Sequence, residues 1–312
     1  RVKAMVKFLK FKKAYKIERC NRIKKSVNPV EIILFAVLIL YSALMLTLLI
    51  WALFTSIRTR GEFVENVFGF PREWAFSNYV PAFKFFSVQI LPSTMIKTVY
   101  LDQMFLYSLF YAVGGATVTT LVHCLTAYVV QRFRRYKLSS ILTWIVIVTM
   151  ILPIVGSLPS KLQIMHGLNL FDNFFGVFLL QASFLGMHFL IFKAAFSAIP
   201  ESFSEAALVD GAGNFSLMFR IALPLVSKTF MILWLLSFIG LWNDYQGPMI
   251  YLPSFPTVAY GLYRFSQISS GELNSIPMRM AGCMLLFIPI FIIYLCLQDK
   301  LMGNLTIGGV KG

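Results

Sequence analysis

The sequence predicts an all-α integral membrane protein of six transmembrane helices, with both termini on the cytoplasmic face. Three observations carry this reading: composition, long uncharged runs, and the distribution of Lys and Arg. The chain is 58% hydrophobic and only 13% charged, with a mean hydropathy of +0.75. A soluble domain carries roughly 25% charged residues. In lipid the backbone must satisfy its own hydrogen bonds, and these continuous apolar runs suit helices rather than an outer-membrane barrel.

The elements follow in order. Residues 1–28 form a basic segment in which Lys and Arg alternate with Val2, Met5, Phe8, Leu9, Phe11 and Tyr15. That pattern suits a helix lying on anionic lipid, or a topology signal. It is not expected to be a cleavable signal, because the apolar run after it is too long and lacks a small-residue cleavage site. Uncharged runs at 32–57, 105–131, 138–160, 173–192 and 280–298 are each near or above the ~20 residues needed to cross a bilayer. A sixth, 229–243, is short, but Lys228 can snorkel to the interface and extend it back to Leu225. Between the first and second runs, residues 58–104 read as an ordered external cover rich in aromatic and turn residues. Gly114 and Gly115 permit close helix approach in the second span. Pro153, Gly156 and Pro159 interrupt the third and Pro289 the sixth, as kinks from packing or as breaks lining a pathway. Four segments result: 1–28, 29–104, the core 105–302, and a cytoplasmic tail 303–312.

Charge sets the orientation. Residues 1–25 hold eleven Lys/Arg against Glu18 alone. With the loop 132–137, Lys193, Arg220, Lys228, Lys300 and Lys311, one side carries twenty cations and the other eight. The positive-inside bias places the termini and the loop after the fourth span in the cytoplasm. The net charge of +15 thus follows topology and is no nucleic-acid footprint.

Several function classes lose support. Cys20, Cys124, Cys283 and Cys296 show no paired spacing, and His123, His166 and His188 are scattered, so neither a disulfide framework nor a metal site is expected. A membrane enzyme needs a nucleophile or an acid–base cluster, and a secondary transporter needs intramembrane ionisable pairs; neither is visible. No G-x-x-x-x-G-K-[ST] run occurs, so the chain cannot cradle ATP in a P-loop.

The most informative stretch lies between the fourth and fifth spans. Ser202 and Glu205 form an S-x-x-E pair, predicting a short helix from Phe203 to Val209 capped by Ser202 and stopped by Gly211. A second helix is expected from Phe215 to Ala222, ended by Pro224. Glu205-Ala206-Ala207, Asp210-Gly211-Ala212, Phe219, Ile221 and Leu223-Pro224 resemble the EAA motif of binding-protein-dependent ABC import permeases. Trp242-Asn243-Asp244-Tyr245 with Pro248, Ile151-Leu152-Pro153 and the ending Gly-Gly-Val-Lys-Gly are similar to the maltose-type carbohydrate branch, specifically its smaller membrane subunit. Tyr107-Ser108-Leu109 opens the second span as the family's Asn-Ser-Leu does, although Tyr107 replaces the usual Asn.

The resemblance implies a permease subunit, not an enzyme, that forms half of a sugar or oligosaccharide path in the bacterial cytoplasmic membrane. It implies a sister permease, two ATPase subunits and an extracytoplasmic solute-binding protein as partners. No cofactor is expected on this chain; ATP and Mg belong to the ATPase. Glu205 is implied as the charged ATPase contact, Ala206, Ala207 and Gly211 as a close-packing surface, and Asp210 as part of the same coupling loop. The tail Gly308, Gly309, Val310, Lys311 and Gly312 is implied to reach between the ATPases; without the resemblance it reads as a frayed end. Tyr251, Leu252, Pro253, Ser254, Phe255 and Pro256 correspond to a loop that probes the binding protein, or form an ordinary stiff turn. Trp242, Asn243 and Asp244 are candidates for the substrate path, since indole faces stack on sugar rings; Asp244 is equally a helix cap. An importer of glycerol phosphate or a polyamine shares the loop, and an ATP-independent transporter is the remaining rival. Charged residues are sparse in the spans, which favours a neutral solute.

Overall fold

A computed structural model describes residues 29–85, 87–90, 97–152, 156–267 and 275–302. The basic head and the glycine-rich tail therefore lie outside the described residues, as does Pro153. The chain divides into residues 1–54 and 55–312. In the first unit lies nearly all of α1, Pro29–Ser56, a 28-residue helix apolar around its whole circumference. An all-round apolar helix of that length suits a lipid span.

The second unit opens with the cover segment, whose described residues are not purely helical. It contains α2 (Arg60–Glu65), a 3₁₀ turn, α3 (Tyr79–Phe85) and an antiparallel hairpin of β1 (Ser87–Ile90) and β2 (Lys97–Tyr100), with Val88 opposite Val99. The hairpin departs from the all-α expectation. Its alternating burial seats Val88, Ile90 and Val99 against Val258, Phe265 and Ala281. The segment is pinned at its start by Arg58, 1% exposed. The Arg58 guanidinium donates to the carbonyls of Val67 (3.3 Å) and Phe70 (3.5 Å), and its Nε lies 3.5 Å from Glu62 Oε1. A buried cation this well surrounded replaces water with protein acceptors.

The long helix α4 (Leu101–Arg132) is the hub. Met104, Ser108, Tyr111, Ala112, Gly115, Ala116, Thr120, His123, Cys124 and Ala127 are buried at three- and four-residue spacing along it, the stripe a packed helix presents. A Cβ at Gly114 would strike the Phe178 ring, and one at Gly115 would strike Gln181 and Leu241. Close approach is thus what these glycines provide.

Three helices among the described residues are long and apolar enough to cross a membrane: α1, α4 and α15 (Ile276–Met302, with Pro289 inside it). The other expected spans are built from shorter pieces. The third is α5 (Lys137–Ile151), then α6 (Ser157–Gly167) entered through Gly156 at φ +80°. The fourth is α7 (Phe174–Gln181) and α8 (Met187–Ser197), broken at Gly186. The fifth region holds α12 (Ser227–Trp242), which follows the 214–225 helical stretch at a 73° bend. After it come α13 (Gln246–Tyr251) and α14 (Val258–Ser266). Helices α8 and α12 pack most extensively on α4.

Candidate functional site: an exposed loop on a packed bundle

The loop begins where α9 (Glu201–Val209) leaves α8. The capping-box expectation is corrected here. Pro200, with φ −58°, stands at the N-cap, and Ser202 lies inside the first turn without capping it. Pro200 stays outside the helix and Glu201 takes the first helical position, so the helix starts two residues early. The Phe203 N–H is satisfied by the Pro200 carbonyl (3.3 Å) instead of a hydroxyl. Glu201 forms an ion pair with Arg134 of the α4–α5 loop. The C-terminal stop is as expected. Gly211 takes φ +79°, Gly211 N–H donates to Leu208 O (3.1 Å) and Ala212 N–H to Ala207 O (2.8 Å), the paired bonds of a Schellman ending.

The second helical stretch also differs from expectation. It runs from α10 (Asn214–Leu217) through a π turn, Met218–Ala222, into α11 (Leu223–Leu225). Pro224 does not end it. A proline crowds the carbonyl four residues back and donates no hydrogen bond; the widened turn just before it, in which Leu223 N–H donates to Met218 O, relieves that conflict. Leu217 and Ala222 are buried and anchor the stretch.

Of the coupling candidates, Glu205, Ala206, Asp210 and Gly211 are exposed, whereas Ala207 is buried within this chain. Ala207's small side chain therefore seats α9 on its own protein. Around these residues sits an apolar surface that sequence reasoning passed over: Val209 is 87% exposed and Phe215 80%, with Phe203, Leu208 and Phe219 also open. Apolar residues at both helix ends of a polar loop were the available signal. Such a patch beside charged residues marks an interaction surface.

At the other end of α12 the structure brings Asp244 to Tyr111. The Tyr111 hydroxyl donates to Asp244 Oδ2 (2.7 Å), and Gly247 N–H donates to Asp244 Oδ1 (3.0 Å). Asp244 thus starts α13 as well as tying it to α4. Trp242 is buried, its indole N–H donating to Leu286 O (3.3 Å), with Phe105 and Phe238 against its ring. Asn243 is exposed, and its amide donates to Ile239 O (2.8 Å). The 251–256 turn is fixed rather than loose. Tyr251 O accepts from Asp172 N–H (3.0 Å), Ser254 N–H donates to Asp172 Oδ1 (3.0 Å), Leu252 and Pro256 are buried, and Phe255 meets Tyr107 edge-on.

Two polar contacts inside the bundle were not legible from sequence. His123 and His188 pack with ring centroids 5.5 Å apart, and Lys193 donates to Thr143 (2.8 Å). No group of three or more metal-binding side chains occurs among the described residues.

Residues 124–302 match the model of a family described as the binding-protein-dependent transport system inner membrane component. The diacetylchitobiose uptake system permease protein NgcG of Streptomyces coelicolor is 22% identical over 278 residues, covering 88% of this chain and 86% of that protein. The sulfoquinovosyl glycerol transport system permease protein SmoH of Agrobacterium fabrum is 26% identical over 269 residues, covering 84% and 88%. In fold, the chain is similar to a solved bacterial ABC transporter involved in the import of the acidic polysaccharide alginate. The TM-score is 0.68 at 23% identity, covering 88% of this chain and 98% of that one.

Proposed function

This chain belongs to the binding-protein-dependent transport system inner membrane component family, and from that premise we propose that it forms half of the path of an ATP-driven sugar or oligosaccharide importer. It carries no ATPase chemistry of its own. ATP and Mg act on separate ATPase subunits, and a sister permease and an extracytoplasmic binding protein complete the machine. The loop 200–225 faces the cytoplasm and docks on an ATPase through Glu205, Ala206, Asp210 and Gly211, with Val209 and Phe215 filling apolar hollows in the partner. Ala207 holds α9 in place behind that surface. The tail residues 308–312 reach the same partners.

One observation carries this reading: Val209 and Phe215 stand almost fully exposed on a loop anchored beneath by buried Ala207, Leu217 and Ala222. A surface that is apolar outside and rigidly seated can transmit a partner's motion. ATPase closure would move α9 and α10, and the 73° bend before α12 would turn that motion into a tilt of the helix that packs on α4. On the opposite face, the 251–256 turn meets the binding protein. Asn243 supplies the free edge of the substrate path, while Trp242 and Asp244 hold that edge in position. The relatives' sugar substrates support the substrate class.

The test is a pull-down from mild detergent followed by mass spectrometry, comparing the native chain with Glu205→Arg/Gly211→Leu. An ATPase and a second permease should accompany the native chain, and only the ATPase should be lost from the variant. Recovery of no ATPase with either form would overturn the coupling role.

A further inference from the structure

On the same side as the exposed loop, a cleft of about 610 Å³ opens between the α4–α5 turn and α9. Its rim carries Arg132, Arg134 and Arg135, and its apolar floor includes Phe196, Leu217 and Ile221. Arg134 is already paired with Glu201. Arg132 and Arg135 have no ion pair or hydrogen-bond partner among the described residues. Tyr128 forms part of the wall and is 9% exposed, held edge-on against Phe196 with ring centroids 5.4 Å apart. Its hydroxyl is buried and lacks any hydrogen-bond partner.

A buried hydroxyl without a partner costs free energy, and natural proteins rarely leave one so. Two uncommitted guanidiniums lining the same cleft supply what a tetrahedral oxyanion requires: planar forks of donors and positive charge. Glu205 also lines the cleft, but it is exposed and the cations outnumber the two carboxylates. We propose that this cleft binds a phosphoryl group, with Arg132 and Arg135 on its oxygens and the Tyr128 hydroxyl donating to it. The apolar floor suits the first carbons of an acyl chain beneath a lipid headgroup, and the arginines suit a free phosphate equally. Occupancy would clamp the α4–α5 turn to α9, bracing the loop from behind.

The experiment reads thermal unfolding of the intact chain, carried with its co-purifying partners into phosphatidylcholine nanodiscs. One arm adds inorganic phosphate against equal chloride, and the other replaces part of the lipid with phosphatidylglycerol. Tyr128→Phe, Arg132→Gln and Arg135→Gln are compared with Lys228→Gln, a cation outside the cleft. The expected result is a rise in the midpoint in at least one arm, kept by Lys228→Gln. In the cleft variants the ligand concentration giving half the rise should increase about tenfold or more, as loss of a hydrogen bond to a charged group requires. A rise with phosphatidylglycerol alone assigns a headgroup; a rise with phosphate alone assigns a soluble ligand; both assign the shared chemistry. No rise in either arm, or an equal rise in all variants, overturns the proposal. Tyr128→Phe removes only an unpartnered hydroxyl, so it should fold as well as the native chain.

Discussion

Asp244 ties together the elements at the C-terminal end of α12. It accepts one bond from the Tyr111 side chain of α4 and another from the Gly247 backbone of α13. Truncation to Ala leaves a buried tyrosine hydroxyl and a helix-start N–H to find new partners, a loss of about 1–3 kcal/mol. Asp244→Ala should lower the unfolding midpoint in nanodiscs, and Tyr111→Phe should lose less because it removes one bond and leaves no buried orphan on α4. In a double-mutant cycle the two losses should fall short of adding, since they share one bond; full additivity would mean that the pair is not coupled. Gly247→Ala belongs with them, because a Cβ there would strike Asp244 and the Tyr111 hydroxyl. Glu62, in the cover segment, gives the pH dependence. Its carboxyl is held below the ordinary range chiefly by the Arg72 N–H, which donates to Oε1 at 2.6 Å; burial opposes this, and the Glu73 N–H and the Arg58 charge add to it. A carboxyl with a lowered folded pKa contributes stability that is present above its unfolded value, about 4.3. That contribution disappears as pH falls through the folded value. Amide protection in residues 58–78, measured against the intrinsic exchange rate at each pH, should therefore fall on acidification below about pH 4.5, near that reference value, and Glu62→Gln should flatten that response. Unchanged acid sensitivity in the variant would assign the effect to other carboxylates.

Among the elements, α9 has the sharpest local requirement. Gly211 adopts φ +79° with open space around its missing Cβ, so Gly211→Ala meets backbone strain and no collision. The cost is about 1 kcal/mol, too little to unfold the chain but enough to unsettle the turn joining α9 to α10. Reduced transport with a nearly native unfolding midpoint is expected; unimpaired transport would show that the turn tolerates another conformation. This stop was legible in sequence because glycine after a capped helix has one ready physical meaning. The start was not, because Ser202 and Glu205 satisfy a capping pattern while the helix begins at Glu201, with Pro200 at the N-cap. The same contrast runs through the spans. Helices α1 and α4 were visible as unbroken apolar runs, and α15 as an apolar run that continues through Pro289. The break between α7 and α8 was not, since residues 182–186 stay apolar or small and Gly186 reads as ordinary until its φ of +149° is seen. Long-range pairs such as Tyr111 with Asp244 or His123 with His188 lie far apart in the chain and carry no local signature.

At the scale of the whole molecule, orientation decides which surfaces can meet which partners. Twenty of the Lys and Arg residues fall on one side of the expected spans and eight on the other, a bias that predicts basic loops on the cytoplasmic side. On that expected topology the cleft and the exposed loop share the basic side, whereas the cover segment lies on the other. Two exposed aromatic positions mark these faces: Phe215 on the loop and Phe70 in the cover, 80% and 77% exposed. The four native cysteines would be replaced by alanine and a single cysteine placed at either position. In intact spheroplasts a membrane-impermeant maleimide should label Phe70→Cys. Phe215→Cys should react only after the membrane is opened, and its labelling should drop again when the ATPase is co-expressed. Labelling of Phe215→Cys from outside would invert the topology and remove the loop from any cytoplasmic partner. Labelling after permeabilisation that the ATPase leaves unchanged would keep the topology and sink the docking role. The two claims rest on different physics, charge retention for the first and burial of apolar surface for the second, so each can fail alone.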